Sequence, residues 1–164
     1  MNEKENTAAA KTIIVQSAEG RVLHAFGDTI QIKLGGAQTG GNLVVGVATT
    51  PPGGGPPSHV HHNEDELFLI LEGRFRVLAN GEWREVGPGG VAYTPRGNVH
   101  TFRNIGDTLG RFWVLTTPCG FDSFFAKCAD VFSAGGPPNM ARIEEICAEH
   151  GCEFVPPLVG GAGA

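Results

Sequence analysis

The sequence predicts an all-β barrel with one or two short helices confined to its C-terminal end. Three observations carry this. The 25 glycines and 11 prolines fall mostly in short clusters between β-branched and aromatic runs, as in a chain with many turns. The run from Leu67 to Leu71 is apolar at every position, so both faces of that strand must be covered. Aromatic residues take helical spacing only beyond Pro118. A length of 164 residues suits a single domain with a substantial core.

Taken in order, residues 1–11 are polar and alanine-rich, with no periodicity, and read as a flexible tail. The barrel is expected over 12–118. Thr12 to Val15, Arg21 to Phe26, Asp28 to Leu34 and Asn42 to Thr50 are β-rich runs separated by glycine turns. Ile30, Ile32 and Leu34 alternate onto one face. Pro51 to Pro57 lacks backbone donors and reads as a loop. In the next strand Glu66, Phe68 and Ile70 share one face, and Leu67, Leu69 and Leu71 share the other. Arg74 to Leu78 and Glu82 to Val86 flank Asn80-Gly81, the strongest hairpin signal in the chain. Arg74, Arg76 and Arg84 run out of phase with Phe75 and Val77 and read as a solvent-facing row. Further strands run from Val91 to Tyr93, from Asn98 to Asn104 and from Arg111 to Thr116.

A helical extension packing on the barrel is expected over 119–157. Phe121, Phe124 and Phe125 recur at helical spacing and read as packing against the barrel. Asn139 is placed to cap a second helix that carries Ile143, Ile146 and Cys147 as its apolar stripe and stops at Gly151. Phe154-Val155 reads as a last extended piece, and 158–164 as a flexible Gly/Ala tail. Cys119, Cys128, Cys147 and Cys152 lack a CxxC spacing and read as free thiols of a reducing compartment.

The chemistry gathers in Ser58-His59-Val60-His61-His62-Asn63-Glu64-Asp65-Glu66-Leu67. In a strand, His59 and His61 point the same way and His62 points the other. Glu66 follows, and His100 is the candidate fourth donor. A carboxylate beside imidazoles inside an apolar barrel is unfavourable without a compensating cation or hydrogen bonds. One divalent transition metal (Fe, Mn, Ni, Co, Cu or Zn) answers that, since each accepts mixed N/O ligation. His24 and His150 read as structural or surface residues.

These residues sit in two long gapped patterns. The first is Gly53, five residues, His59-Val60-His61, four residues, Glu66, six residues, Gly73. The second is Gly89, five residues, Pro95, one residue, Gly97, two residues, His100, three residues, Asn104. Both resemble the motifs of the cupin superfamily. The resemblance implies an antiparallel double-stranded β-helix, the jelly-roll barrel of that family, with a metal held by His59, His61, Glu66 and His100. Within the family the chain is most similar to small quercetin-dioxygenase-like cupins, through Pro56 to His61, Glu66 to Gly73, Gly120 to Phe125 and the stretch from Glu144 to Pro157.

That resemblance implies a dioxygenase-like oxidoreductase for a small aromatic or enolisable substrate. Glu66 is expected to be a ligand or a catalytic base, and Phe68, Phe75, Phe102 and Phe112 to line the substrate pocket. A metal-dependent isomerase, lyase or decarboxylase is the alternative, followed by a non-catalytic small-molecule-binding cupin. A formal charge of −5 with no dense basic run argues against nucleic-acid and anionic-membrane partners. No apolar stretch is long enough for a signal or a span, so the cytoplasm is the expected location. A homodimer is expected to cover Leu67, Leu69 and Leu71.

Overall fold

A computed structural model describes residues 11–156; the expected tails, 1–11 and 158–164, lie outside the described residues except for Lys11. The chain runs β1 (Arg21–Ala25), β2 (Asp28–Leu34), α1 (Gly36–Thr39), β3 (Val44–Thr50), β4 (His59–His61), β5 (Asp65–Glu72), β6 (Phe75–Ala79), β7 (Glu82–Val86), β8 (Val91–Thr94), β9 (His100–Asn104), β10 (Gly110–Thr117), α2 (Phe121–Ser133), α3 (Met140–Glu149) and β11 (Cys152–Phe154). Two antiparallel sheets face each other, in the orders β1-β2-β3-β10-β5-β8 and β11-β4-β9-β6-β7. This is the mostly-β, two-sheet architecture with C-terminal helices that the sequence predicts.

Strand alternation builds the interior. From β5, Phe68 and Ile70 point inward, and from β10, Phe112 and Val114 do so beside them. Leu67, Leu69 and Leu71 occupy the opposite face of β5 and are half-buried there. Trp113 and Leu115 of β10 share that outer face, and exposed Tyr93 and Val91 of β8 continue it. The β6–β7 hairpin turns on Asn80 (φ 54°) and Gly81 (φ 80°), the two left-handed residues that an Asn-Gly turn supplies.

Three local departures have physical causes. Thr12 to Val15 joins no sheet, and Ile14 is 77% exposed. The segment behind that run serves instead as a cap, because Lys33 donates to the carbonyls of Gln16, Ser17 and Glu19. Lys33 is the extra residue of a β-bulge between Ile32 and Leu34, which buries the lysine and takes Leu34 out of the alternation. The arginine row is also split. Arg74 and Arg84 pair with Glu85 and Glu82 at the surface, whereas Arg76 is half-buried with its guanidinium 4.6 Å from the Trp83 ring.

The C-terminal unit closes one side of the barrel. In α2, Phe121, Phe124, Phe125 and Cys128 are the buried stripe. Asn139 caps α3, accepting from the Arg142 backbone N–H at 3.2 Å, and Ile143, Ile146 and Cys147 are buried beneath it. The chain then returns in an extended piece, β11, which pairs with β4. All four cysteines are free thiols. No helix among the described residues is long and apolar enough to cross a membrane.

Candidate metal centre

Strand β4 is only three residues long, yet all three are buried, because it is held from every side. Cys152, Glu153 and Phe154 of β11 pair with His61, Val60 and His59, and His59 pairs with His100 across β9. The Gly97 N–H donates to the His61 carbonyl at 2.7 Å, so the turn of the second motif is tied to the strand of the first. Asn104 performs the same service at the other end. Its amide donates to the carbonyls of Thr50 and Thr108, and its backbone exchanges hydrogen bonds with Gly53 and Gly54. The motif residues that carry no metal chemistry therefore fix the positions of those that do.

His59, His61, Glu66 and His100 come together with their donor atoms within 4.8 Å of one another. His59 and His100 are oriented from behind, their Nδ1–H groups donating to the carbonyls of Pro57 at 2.8 Å and Asn98 at 3.0 Å. That leaves both Nε2 atoms facing the centre. His62, of opposite parity, points away and meets Glu153 at the surface.

The charges of the cluster follow from these contacts. Burial, reinforced by His100 and His61, pushes His59 down to about 3. Burial also lowers His61, with Glu66 opposing. His100 is different. Burial pulls it down, but its 2.8 Å hydrogen bond to Glu66 and the carboxylate's charge outweigh that, and its proton is held more tightly than usual. Both ring nitrogens of His100 face oxygen acceptors, as an imidazolium requires. Burial raises Glu66, but the His100 hydrogen bond and the surrounding histidines more than offset it, so the carboxyl is held ionised.

The residues fit a divalent cation. The His61 Nε2 is buried and has no hydrogen-bond partner among the described residues. Such an orphan is unfavourable by about 1–3 kcal/mol unless something binds it. Donors bound at about 2 Å from one ion sit roughly 3–4 Å apart, so the cluster needs only small side-chain movements to close on a cation. His59, His61, Glu66 and His100 would hold it.

A small apolar cavity adjoins the donors. Its free space is about 50 Å³, room for a few waters at roughly 10–15 Å³ each and well below the ~300 Å³ of an ordinary ligand cleft. Phe68, Phe102 and Phe112 line it as expected positions of the barrel interior, whereas Phe75 does not. Phe75 stands one layer behind, packed edge-on against Phe112 at 5.2 Å and Phe102 at 6.1 Å. The other aromatic wall residues are Phe26, the α2 residues Phe121, Phe124 and Phe125, and Phe154 of β11. The α2 aromatics thus pack on the barrel and form the cavity wall at once, with Phe121 edge-on to His61.

Two acids at the site have no counterpart in the motif reading. Glu64 is buried behind His61, with its Oε2 3.9 Å from Nδ1. Burial, with Glu66 adding to it, raises the Glu64 carboxyl to about 7. Gly120, at φ 150°, leaves room for this carboxyl, since a Cβ there would overlap Glu64 Oε1. Asp28, at the start of β2, lines the cavity itself. Its parity with Ile30 and Ile32 was the available signal.

Residues 46–116 match the family described as Cupin domain. An uncharacterized protein of Streptomyces coelicolor is 32% identical over 57 residues, which are 35% of this chain and 54% of that relative, so the chain spans about half the length of the curated relative it matches. A structure titled as a predicted oxalate decarboxylase from Thermotoga maritima has a TM-score of 0.61 at 22% identity, covering 65% of this chain and 99% of that one. A sugar phosphate isomerase of the cupin superfamily from Silicibacter pomeroyi has a TM-score of 0.50 at 27% identity, covering 63% and 68% respectively.

Proposed function

We propose, from the match of residues 46–116 to the Cupin domain family, that the protein is a cupin and a metal-dependent oxidoreductase of the dioxygenase type, acting on a compact aromatic or enolisable substrate. The observation that carries the reading is a buried three-histidine, one-glutamate cluster opening onto an aromatic cavity with no lysine or arginine among its described lining residues. A sugar phosphate, whose phosphate lies away from the oxygen that meets the metal, would call for a cation in the wall to match its charge. An apolar substrate and dioxygen need none.

A bound divalent ion would supply Lewis acidity and, if redox-active, electron exchange with dioxygen. The remaining tasks fall to the chain. Glu66, kept ionised by its histidines, accepts the proton of an enol or phenol hydroxyl. The phenylalanines exclude water and bind the carbon skeleton. The tight cavity selects for size, and a flavonol-sized molecule enters only if α2 moves.

Oxygen-electrode screening of iron-, manganese- and nickel-loaded protein against small 1,3-diketones, phenols and flavonols tests this. Uptake with the compact compounds, lost in Glu66→Gln, is expected. Silence across the panel from fully loaded protein contradicts the oxidoreductase reading, and points to a metal-dependent isomerase, lyase or decarboxylase or to a binding protein.

The reading includes a homodimer formed through the outer face of β5 and its neighbours, where Leu67, Leu69 and Leu71 lie beside Trp113 and Leu115. Light scattering at micromolar concentration is expected to return twice the 17.2 kDa chain mass. A monomer mass would remove the dimer without touching the metal centre.

A further inference from the structure

We propose that Asp28 is a substrate-binding residue, whose carboxylate accepts a hydrogen bond from a hydroxyl or amino group on the substrate distinct from the oxygen that meets the metal. The inference deepens the proposed function and rests on it, since it assumes that the metal centre and the cavity form one site. The substrate class narrows accordingly, to compact aromatic or enolic compounds with a second hydrogen-bond donor.

Three observations converge on Asp28. The residue is 6% exposed and lines the same cavity as His59, His61 and Glu66. Its Oδ1 is buried with no hydrogen-bond partner among the described residues. The neighbouring Thr50 hydroxyl, equally buried, favours the charged carboxyl without offsetting burial, and by geometry it too lacks a completed hydrogen bond. An acid at this position is also not required by the strand. Ile30 and Ile32 fill the equivalent inward positions with aliphatic side chains, and the β1–β2 ladder closes through backbone pairing of Ala25 with Asp28. A carboxylate placed in an aromatic wall with one oxygen unsatisfied destabilises the fold. Such a group is explained by a donor that arrives with the ligand, and a site built around a polar group discriminates strongly against analogues lacking its partner.

The test uses zinc-loaded full-length protein under argon, so that no redox chemistry intervenes. Phenol and hydroquinone are titrated in by calorimetry; the second hydroxyl of hydroquinone, across the ring, cannot reach the same ion as the first. Hydroquinone is expected to bind about tenfold more tightly than phenol, the scale of one hydrogen bond to a charged group. In Asp28→Ala the preference is expected to fall to within about twofold, with zinc content unchanged and the melting temperature unchanged or raised, because an unpaired buried carboxyl has been removed. In Asp28→Asn part of the preference should survive through the amide oxygen. The inference is overturned if Asp28→Ala keeps the full preference, if zinc-loaded wild type binds neither compound, or if Asp28→Ala loses stability while keeping the preference, which would make Asp28 structural. Absence of zinc from wild type would overturn the metal centre, and this inference with it.

Discussion

His100→Ala is expected to empty the protein of metal and to remove about 3–5 kcal/mol from the stability of the metal-free fold, the usual consequence of breaking a buried ion pair from one side. The His100 side chain is 1% exposed and that of Glu66 4%, and 2.8 Å separates Nε2 from Oε2. Alanine leaves Glu66 as a desolvated carboxylate with only His61, 3.8 Å away, and His59 in partial compensation. The pH dependence has a definite sign. In the wild type the Glu66 pKa is held down, so its stabilisation is present above the unfolded carboxyl value and fades as pH falls through the folded one. Without His100 the folded pKa of Glu66 rises, and the deficit grows as pH increases from about 5 to about 6.5; above that the wild type in turn begins to lose the stabilisation carried by the raised His100 pKa. Denaturant unfolding of metal-stripped protein measures the loss, and elemental analysis the missing ion. The double variant His100→Ala with Glu66→Gln should recover part of the stability and none of the metal. A variant as stable as wild type throughout that range would mean that the pair is not buried as described.

Phe112→Ala is the second large effect, expected at about 3–5 kcal/mol. Phe112 is 2% exposed and meets Phe68 at 5.3 Å, Phe75 at 5.2 Å and Phe102 at 4.9 Å, each edge-on. Three rings lose a neighbour at once, and the backbone around them belongs to paired strands that cannot collapse inward, so most of the vacated space persists as a void. The urea midpoint should fall with the slope unchanged. Val91→Ala on the exposed outer face is the control, expected within about 0.5 kcal/mol of wild type. A loss below about 1 kcal/mol for Phe112→Ala would show that the four rings are not a packed unit.

The parts of this molecule that were legible in the sequence are those set by short-range pattern. Strand parity put His59 and His61 on one face and His62 on the other, and spacing placed Glu66 and His100 in two recognisable motifs. The Asn80-Gly81 turn and the Asn139 cap declared themselves through backbone chemistry. What stayed hidden depends on partners distant along the chain. Cys152 to Phe154 is too short for any periodicity to show, yet it is the strand that braces β4. Phe75 has the same composition and parity signals as Phe102, and only the curvature of the barrel separates the ring in the cavity wall from the ring behind it. Lys33 reads as a solvent-facing residue until the bulge and the carbonyls of residues 16–19 are in place. Asp28 opens the Asp28 to Leu34 strand as read from the sequence, but only the fold shows that its parity with Ile30 and Ile32 carries it to the cavity wall.

Calorimetric titration of a divalent metal into stripped protein tests the centre most directly. Saturation at about one ion per chain is predicted, with about one proton released per ion near pH 6.5, because the cation must displace the proton that His100 holds against Glu66 while His59 and His61 are already neutral. Non-saturating uptake, or saturable binding undiminished in His59→Ala and His100→Ala, would place the metal elsewhere or nowhere, and the proposed chemistry would go with it.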